Sequence, residues 1–364
     1  MNNTFGHHVA VTLFGESHGA SIGAVVDGLA PGLPVDEDFI AAMLIRRRPQ
    51  GGISTTRHEA DRFVIESGVF EGKTTGTPVC IRIPNEDTRS ADYTDQRRLA
   101  RPGHADYTAA CKYHGYEDYR GGGHFSGRIT AALVAAGALV IQALAAKGIH
   151  VATHISRLGG IKDRSVVDLG ADMDKLAAGG FPVLDSSAEV AMTERILNAK
   201  ENKDSVGGVL ETVVTGLPAG VGEPWFDTVE GVLSHALFSI PAIKGVEFGS
   251  GFALADMTGS AANDAFRAVD GQTVTVTNHN GGINGGITNG MPIVIRCAVK
   301  PTPTIGLCQD TVDLTEGTNA RLEAKGRHDP CIVHRAAVVA DCVVALALCD
   351  LLAGRYGTDW LGEA

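Results

Sequence analysis

Nowhere in this 364-residue sequence do two cysteines stand in C-x-x-C spacing; its seven lie scattered at positions 80, 111, 297, 308, 331, 342 and 349. An odd, dispersed set in a chain this long argues against a disulfide framework and for reduced thiols in the cytoplasm. No His/Cys spacing suits zinc, so no metal is expected. The amino end, MNNTFGHHVAV, lacks the basic and apolar regions of an export signal. A membrane-spanning helix needs about 20 apolar residues. Ala131–Ala146 is shorter and rich in Ala, and Ala336–Leu352 is interrupted by Asp341 and Asp350. Both read as buried helices of a soluble protein. Net positive charge is missing too: the formal charge is −11. Nucleic acid and anionic membrane surfaces are therefore excluded as partners, and any anionic ligand needs a local cluster of cations. There is no G-x-G-x-x-G between a strand and a helix, and no G-x-S-x-G elbow. Gly68 to Thr74 reads GxxxGKT, one residue short of a P-loop and in a hairpin context, and is rejected as one.

What is present is material for a large core, 44% hydrophobic residues against 20% charged, with 46 glycines for turns and close approaches. Strands are expected at His8–Phe14, Ser21–Val26, Arg62–Val69, Val79–Ile83, Ile149–Ile155, Gly208–Thr215, Thr273–Thr277 and Pro292–Val299. Asp36 caps a helix that Pro49 stops after Arg48. Further helices are expected at Ala105–His114, Ser126–Lys147, Thr228–Phe238 and Val333–Leu352. Ser186-x-x-Glu189 forms a capping box for one more, reaching about Lys200. Two of these helices are apolar nearly all round, so they belong between other layers. With no linker, repeat or low-complexity tract, residues 1–364 read as a single α+β domain with helices layered between sheets. Arg120–Gly127 and Asn278–Gly290 are Gly-rich and irregular, the mark of functional loops.

Cations gather beside these loops: Arg46, Arg47, Arg48 and Arg57, then Arg101, Arg120 and Arg128, and later Lys300, Arg327 and Arg335. The guanidinium fork suits carboxylate and phosphate, although adjacent arginines at a helix end also serve as ordinary solvated charges. Three histidines lie in Gly- or Pro-framed segments: His18 in GESHG, His104 in RPGHA, and His328 before Asp329. Such groups move protons near neutral pH. Residue chemistry alone thus gives an anion pocket with proton-transfer groups, and leaves the reaction open.

The sequence resembles the chorismate synthase family in motifs that occur in family order from residue 5 to about 352. They include Phe5-Gly6-His7, Gly15-Glu16-Ser17-His18-Gly19, Arg46-Arg47-Arg48-Pro49 and Gly72 to Pro78. Arg101-Pro102-Gly103-His104-Ala105-Asp106-Tyr107, Tyr119 to Gly123 and His235 to Gly251 follow. Asn278–Gly290, Lys300-Pro301-Thr302 and Gly326-Arg327-His328-Asp329-Pro330-Cys331 complete the set. The resemblance implies a β-α-β sandwich, usually assembled as a homotetramer. It also implies a lyase converting 5-enolpyruvylshikimate 3-phosphate, a phosphorylated dicarboxylate, to chorismate. The reaction is a 1,4-anti elimination of phosphate that requires reduced FMN without net redox change, with NADPH only as a reductant. By resemblance His18 is a proton donor, His104 assists phosphate departure, Asp329 is the base, and Ser17 and Ser126 belong to the proton network. Arg46, Arg47, Arg48, Arg128 and Arg335 match substrate-binding cations. FMN contacts fall at His124, Phe125, Ser126, Pro241, Ala242, Gly285, Lys300, Pro301, Thr302, Pro303, Thr304 and Arg327.

Departures from the family pattern are the run His124-Phe125-Ser126-Gly127-Arg128-Ile129-Thr130, Ile53 in place of an Arg, Pro241 for Asn and His334 for Pro. They imply activity with altered cofactor affinity. Rival readings are another FMN-dependent oxidoreductase acting on an anionic substrate, and a non-catalytic anion-binding module.

Overall fold

Two five-stranded antiparallel sheets enclose a layer of helices. The computed structural model describes residues 3–49, 51–55, 59–86, 98–324 and 328–362. The first sheet runs in the order Thr4–Phe5, Ala10–Gly15, Ser21–Asp27, Val79–Pro84, Val64–Ser67. The second runs Ile243–Phe248, Ile293–Val299, Gly208–Thr215, His150–Leu158, Ile161–Lys162. The helices are α1 (Glu37–Arg47), α2 (Asp106–Tyr113), α3 (Thr130–Ala146), α4 (Ala171–Ala177), α5 (Ser186–Glu201), α6 (Val229–Phe238), the single turn α7 (Gly259–Ala262) and α8 (Val333–Tyr356). This is the expected α+β class.

α3 lies on Ser21–Asp27 and Val79–Pro84, α8 lies on His150–Leu158 and Gly208–Thr215, and the two helices pack on each other. Period-2 burial of Val79–Pro84, with Val79, Ile81 and Ile83 inside, shows why that strand presents one face to the helices. α8 is long and apolar enough to cross a bilayer, yet 94% of its most apolar stretch is covered within the fold, which makes it a core helix. Close approach of α3 and α8 depends on Gly137. A Cβ there would sit 2.3 Å from Cys342 Cβ and 2.6 Å from its Cα. Backbone atoms cannot swing aside as a side-chain tip can, so Gly137→Ala should destabilise the fold by about 2–3 kcal/mol. A denaturant midpoint unchanged from wild type would contradict this packing.

Local caps follow the chemistry of the residues. Asp36 accepts from Phe39 N at 2.9 Å, and Gly148, at φ 74°, ends the α3 segment in the left-handed conformation. Ser186 is not the cap that its capping box suggested: Asp185 takes the role, accepting from Ser187 N, and Ser186 is the first helical residue. A carboxylate one residue earlier serves the same amides with a full charge. The strand expected from His8 begins at Ala10, because the His7, His8 and Val9 amides donate to Asp350 Oδ1 at 3.0, 2.6 and 3.0 Å. Thr273–Thr277 is represented by Gln272–Thr275, which pairs only with Phe266–Val269, outside the main sheets. The Asn278–Gly290 loop contains a small hairpin, Ile283–Asn284 with Ile287–Thr288.

Candidate active site

At the edge of the helical layer lies a cavity of about 940 Å³. Its walls combine Arg47, Arg101, Arg128, Arg335 and Lys300 with His18, His104, Ser126, His328 and Asp329, and an apolar side formed by Leu13, Leu133, Ile332 and Val339.

Arg47 occupies the last turn of α1, and its side chain is only 5% exposed. Its Nη2 donates to Asp61 Oδ2 at 3.0 Å, while its buried Nε has no partner among the described residues. Burial lowers its pKa to about 10, although Asp61 opposes that shift. Arg128 binds the other oxygen of Asp61 and donates to Asn85 Oδ1 at 3.0 Å. Arg48 Nε approaches Asp61 at 3.6 Å. Asp61 therefore ties the arginines together from a fully buried side chain on a backbone at φ 48°. Burial alone would raise its pKa, but Arg47 and Arg128 hold it below the usual carboxylate range. Asp329 accepts from Thr55 N at 2.7 Å and from Arg335 Nη1 at 2.7 Å, so both of its oxygens are oriented.

Glycines admit the histidines. Gly121, Gly122 and Gly123 all have positive φ, at 59°, 85° and 55°. A Cβ on Gly121 would meet His18 Nε2 at 2.6 Å and Ser17 Oγ at 3.0 Å; one on Gly122 would meet His104 Nε2 at 3.4 Å. Behind this run, Ser17 N donates to Gly123 O at 3.1 Å. Ser126 caps the next turn, accepting from Arg128 N at 3.2 Å. His124 is close to Gly15 O through Nδ1 at 2.7 Å, which joins the run to the GESHG turn.

The structure thus brings His18, His104, Ser126, Asp329, Arg47, Arg128 and Arg335 to one cavity, together with His124, Phe125, Pro241, Ala242, Lys300, Thr302, Pro303 and Thr304. Ser17 is fully buried behind Gly121. Ala242 bends the wall at φ 76°, and its carbonyl accepts from Lys300 N at 2.9 Å. Other candidates lie elsewhere. Arg46 turns to Asp341 at 3.3 Å and does not line the cavity. Successive helix residues are rotated by about 100°, so Arg46 and Arg47 face different targets. Arg48, Pro301 and Gly285 are also absent from the lining, with Gly285 on the turn of the Ile283–Thr288 hairpin. Arg57 and Arg327 lie outside the described residues. Of the departures, Ile53 packs against the core, and His334 is buried with Nε2 2.9 Å from Ser54 Oγ. Burial pushes the His334 pKa down to about 3, keeping it neutral.

Sequence reading missed Asp61, whose partners stand far away along the chain, and Asp106, which binds both Arg101 and His104. Only the HAD spacing after Arg101 carried a signal for the second.

The family model described as "Chorismate synthase" matches residues 9–353. The chain belongs to the chorismate synthase family. It is 48% identical over 360 residues to the chorismate synthase of Desulfosudis oleivorans, covering 98% of this chain and 99% of that relative. The chorismate synthase of Thermococcus gammatolerans is 46% identical over 351 residues, covering 96% and 97%. A solved structure titled "Crystal Structure of Chorismate Synthase" superposes with a TM-score of 0.77 at 29% identity, covering 98% of this chain and 95% of that one. As a chorismate synthase family member the chain is a lyase of the shikimate pathway, acting on a small-molecule substrate.

Proposed function

We propose that the cavity binds 5-enolpyruvylshikimate 3-phosphate beside reduced FMN and eliminates phosphate and a ring hydrogen in a 1,4-anti sense, giving chorismate with no net redox change. The convergence of His18, His104, the oriented Asp329 carboxylate and five cations on one cavity supports this reading most directly. The residues present fit the cofactor. About 940 Å³ is in the upper range for small-molecule sites, an apolar wall suits a flat ring system, and the buried Thr302 Oγ1 and Arg47 Nε lack partners among the described residues. When bound, reduced FMN supplies electron density to the substrate as phosphate leaves.

The chain supplies the rest. Arg47, Arg128 and Arg335 hold the carboxylates and phosphate, and burial strengthens each charge-assisted bond. His104 gives a proton to the departing phosphate, so the leaving group departs with less charge. Asp329, fixed by Thr55 and Arg335, accepts the ring proton from the opposite face. His18, with Ser17 behind it, holds a proton on the flavin side. We also propose a cytoplasmic homotetramer, a reading supported by seven free cysteines and by exposed Trp225, Phe226 and Phe252. NADPH has a place only as a reductant of FMN.

Anaerobic incubation with dithionite-reduced FMN and the enolpyruvyl substrate is the direct test. Many equivalents of phosphate and product per flavin, with the flavin still reduced, are expected. One flavin oxidised per product would instead make the protein an oxidoreductase. His104→Ala should lower turnover about 10²-fold, the scale of a positioned proton donor. Arg47→Ala should raise half-saturation at least about 10-fold, since a hydrogen bond to a charged group is worth about 1.5–3 kcal/mol. Wild-type turnover in the first variant, or unchanged half-saturation in the second, would remove those roles.

A further inference from the structure

Around His104 stand two residues, Arg101 and Asp106, to which the scheme above gives no role. His104 follows a turn in which its amide donates to Arg101 O at 3.1 Å, with Gly103 at φ 72°. Two residues later α2 begins. Its N-cap, Ala105, offers no side chain, yet Asp106 in the first turn does not serve the helix amides. It folds back instead. Asp106 Oδ2 accepts from Arg101 N at 3.0 Å and from Arg101 Nε at 2.8 Å. Asp106 Oδ1 lies 2.7 Å from both Arg101 Nη2 and His104 Nδ1.

These distances decide the imidazole's tautomer. A carboxylate only accepts, so Nδ1 at 2.7 Å must carry hydrogen. Arg101 Nη2 also lies 3.1 Å from Nδ1. Both are donors there, and their approach follows from sharing one oxygen. The opposite tautomer would set the Nδ1 lone pair against the Asp106 charge. With Nδ1 committed, Nε2 is the nitrogen left for chemistry, on the edge that faces Gly122.

We infer that Asp106 and Arg101 are positioning residues for His104: Asp106 keeps Nδ1–H bonded, so the imidazolium gives its Nε2 proton to the leaving phosphate and is left as the neutral Nδ1–H tautomer, while Arg101 offsets the charge of Asp106. The inference rests on the proposed role of His104. Asp106 alone would set a full negative charge against the ring. The Arg101 fork, bonded to both oxygens, tempers that field. Burial pushes the Asp106 pKa up, but bonds from Arg101 and then His104 outweigh it and leave the carboxyl well below its usual range. Lys300 also stands at this turn, its Nζ donating to Gly103 O, and His18 stands beyond the glycine run.

Two measurements test the arrangement. In the full-length protein labelled with ¹⁵N-histidine, His104, assigned by its loss in His104→Gln, should show the Nδ1–H pattern when neutral. An Nε2–H pattern would overturn the inference whatever the enzyme's activity. In saturating pH profiles, Asp106→Asn should lower kcat about 10²–10⁴-fold, the range seen when a histidine loses its orienting carboxylate. KM should stay within about threefold. Wild-type kcat in Asp106→Asn would sink the inference. Full turnover in His104→Ala would instead remove the parent assignment while leaving the tautomer measurement standing.

Discussion

Asp61→Ala is expected to cost about 3–5 kcal/mol of stability, the scale of removing one partner from a buried ion pair. Arg47 and Arg128 are 5% and 3% exposed in their side chains, and each uses one oxygen of this carboxylate. Without it, two desolvated cations confront each other, and Glu59, 3.9 Å from Arg128, is too distant to replace the lost bonds. The sign of the pH dependence follows from the lowered pKa of Asp61, where ion pairing outweighs burial. Its contribution is present above the unfolded value of about 3.9 and lost as pH falls through the lower folded value. The gap between wild type and variant should therefore narrow in acid. Added sulfate should recover part of the loss by standing in for the missing charge. Chemical denaturation at several pH values would show both effects, and a pH-independent loss below about 1 kcal/mol would contradict the pairing.

Gly121→Ala should reduce turnover at least about 10³-fold, because it displaces two proton-handling groups together. The added methyl group would lie 2.5 Å from His18 Cδ2 and 3.0 Å from Ser17 Oγ, on a backbone at φ 59°. Ser17 and His18 cannot retreat freely, since Ser17 N is held by Gly123 O and Ser17 is fully buried. Gly72→Ala makes the comparison: its φ is 72°, but nothing among the described residues lies within 4 Å of the added carbon. That variant should lose some stability to backbone strain and keep its turnover. Equal activity in the two would show that strain, and not contact with the histidine, governs the effect.

Much of the architecture could be read directly from residue pattern. α3 and α8 announce themselves by being apolar on every face, which only a helix between layers tolerates. Gly148 and Asp36 mark helix ends by local chemistry that tertiary structure did not override. The edges of elements were less legible. Asp350, more than 340 residues away, claims the amides that would have extended the first long strand. In the site, glycine spacing marked 120–127 as a loop, but not that its missing side chains make room for His18 and His104. The three consecutive arginines looked like one cluster, and helix geometry sends Arg46 to Asp341 while Arg47 enters the cavity. Asp61 had no local signal, since its partners Arg47 and Arg128 come from α1 and from the turn before α3.

α8 carries Arg335 in its first turn and Asp350 near its last, 15 positions apart and so about 22 Å along the axis. The near end orients Asp329, while the far end grips the segment just after Thr4 and Phe5, which themselves border the cavity. A single stiff strut thus braces one chamber from two sides. Loosening its far clamp, for example with Asp350→Ala, should be felt in how firmly the chamber closes on its guest.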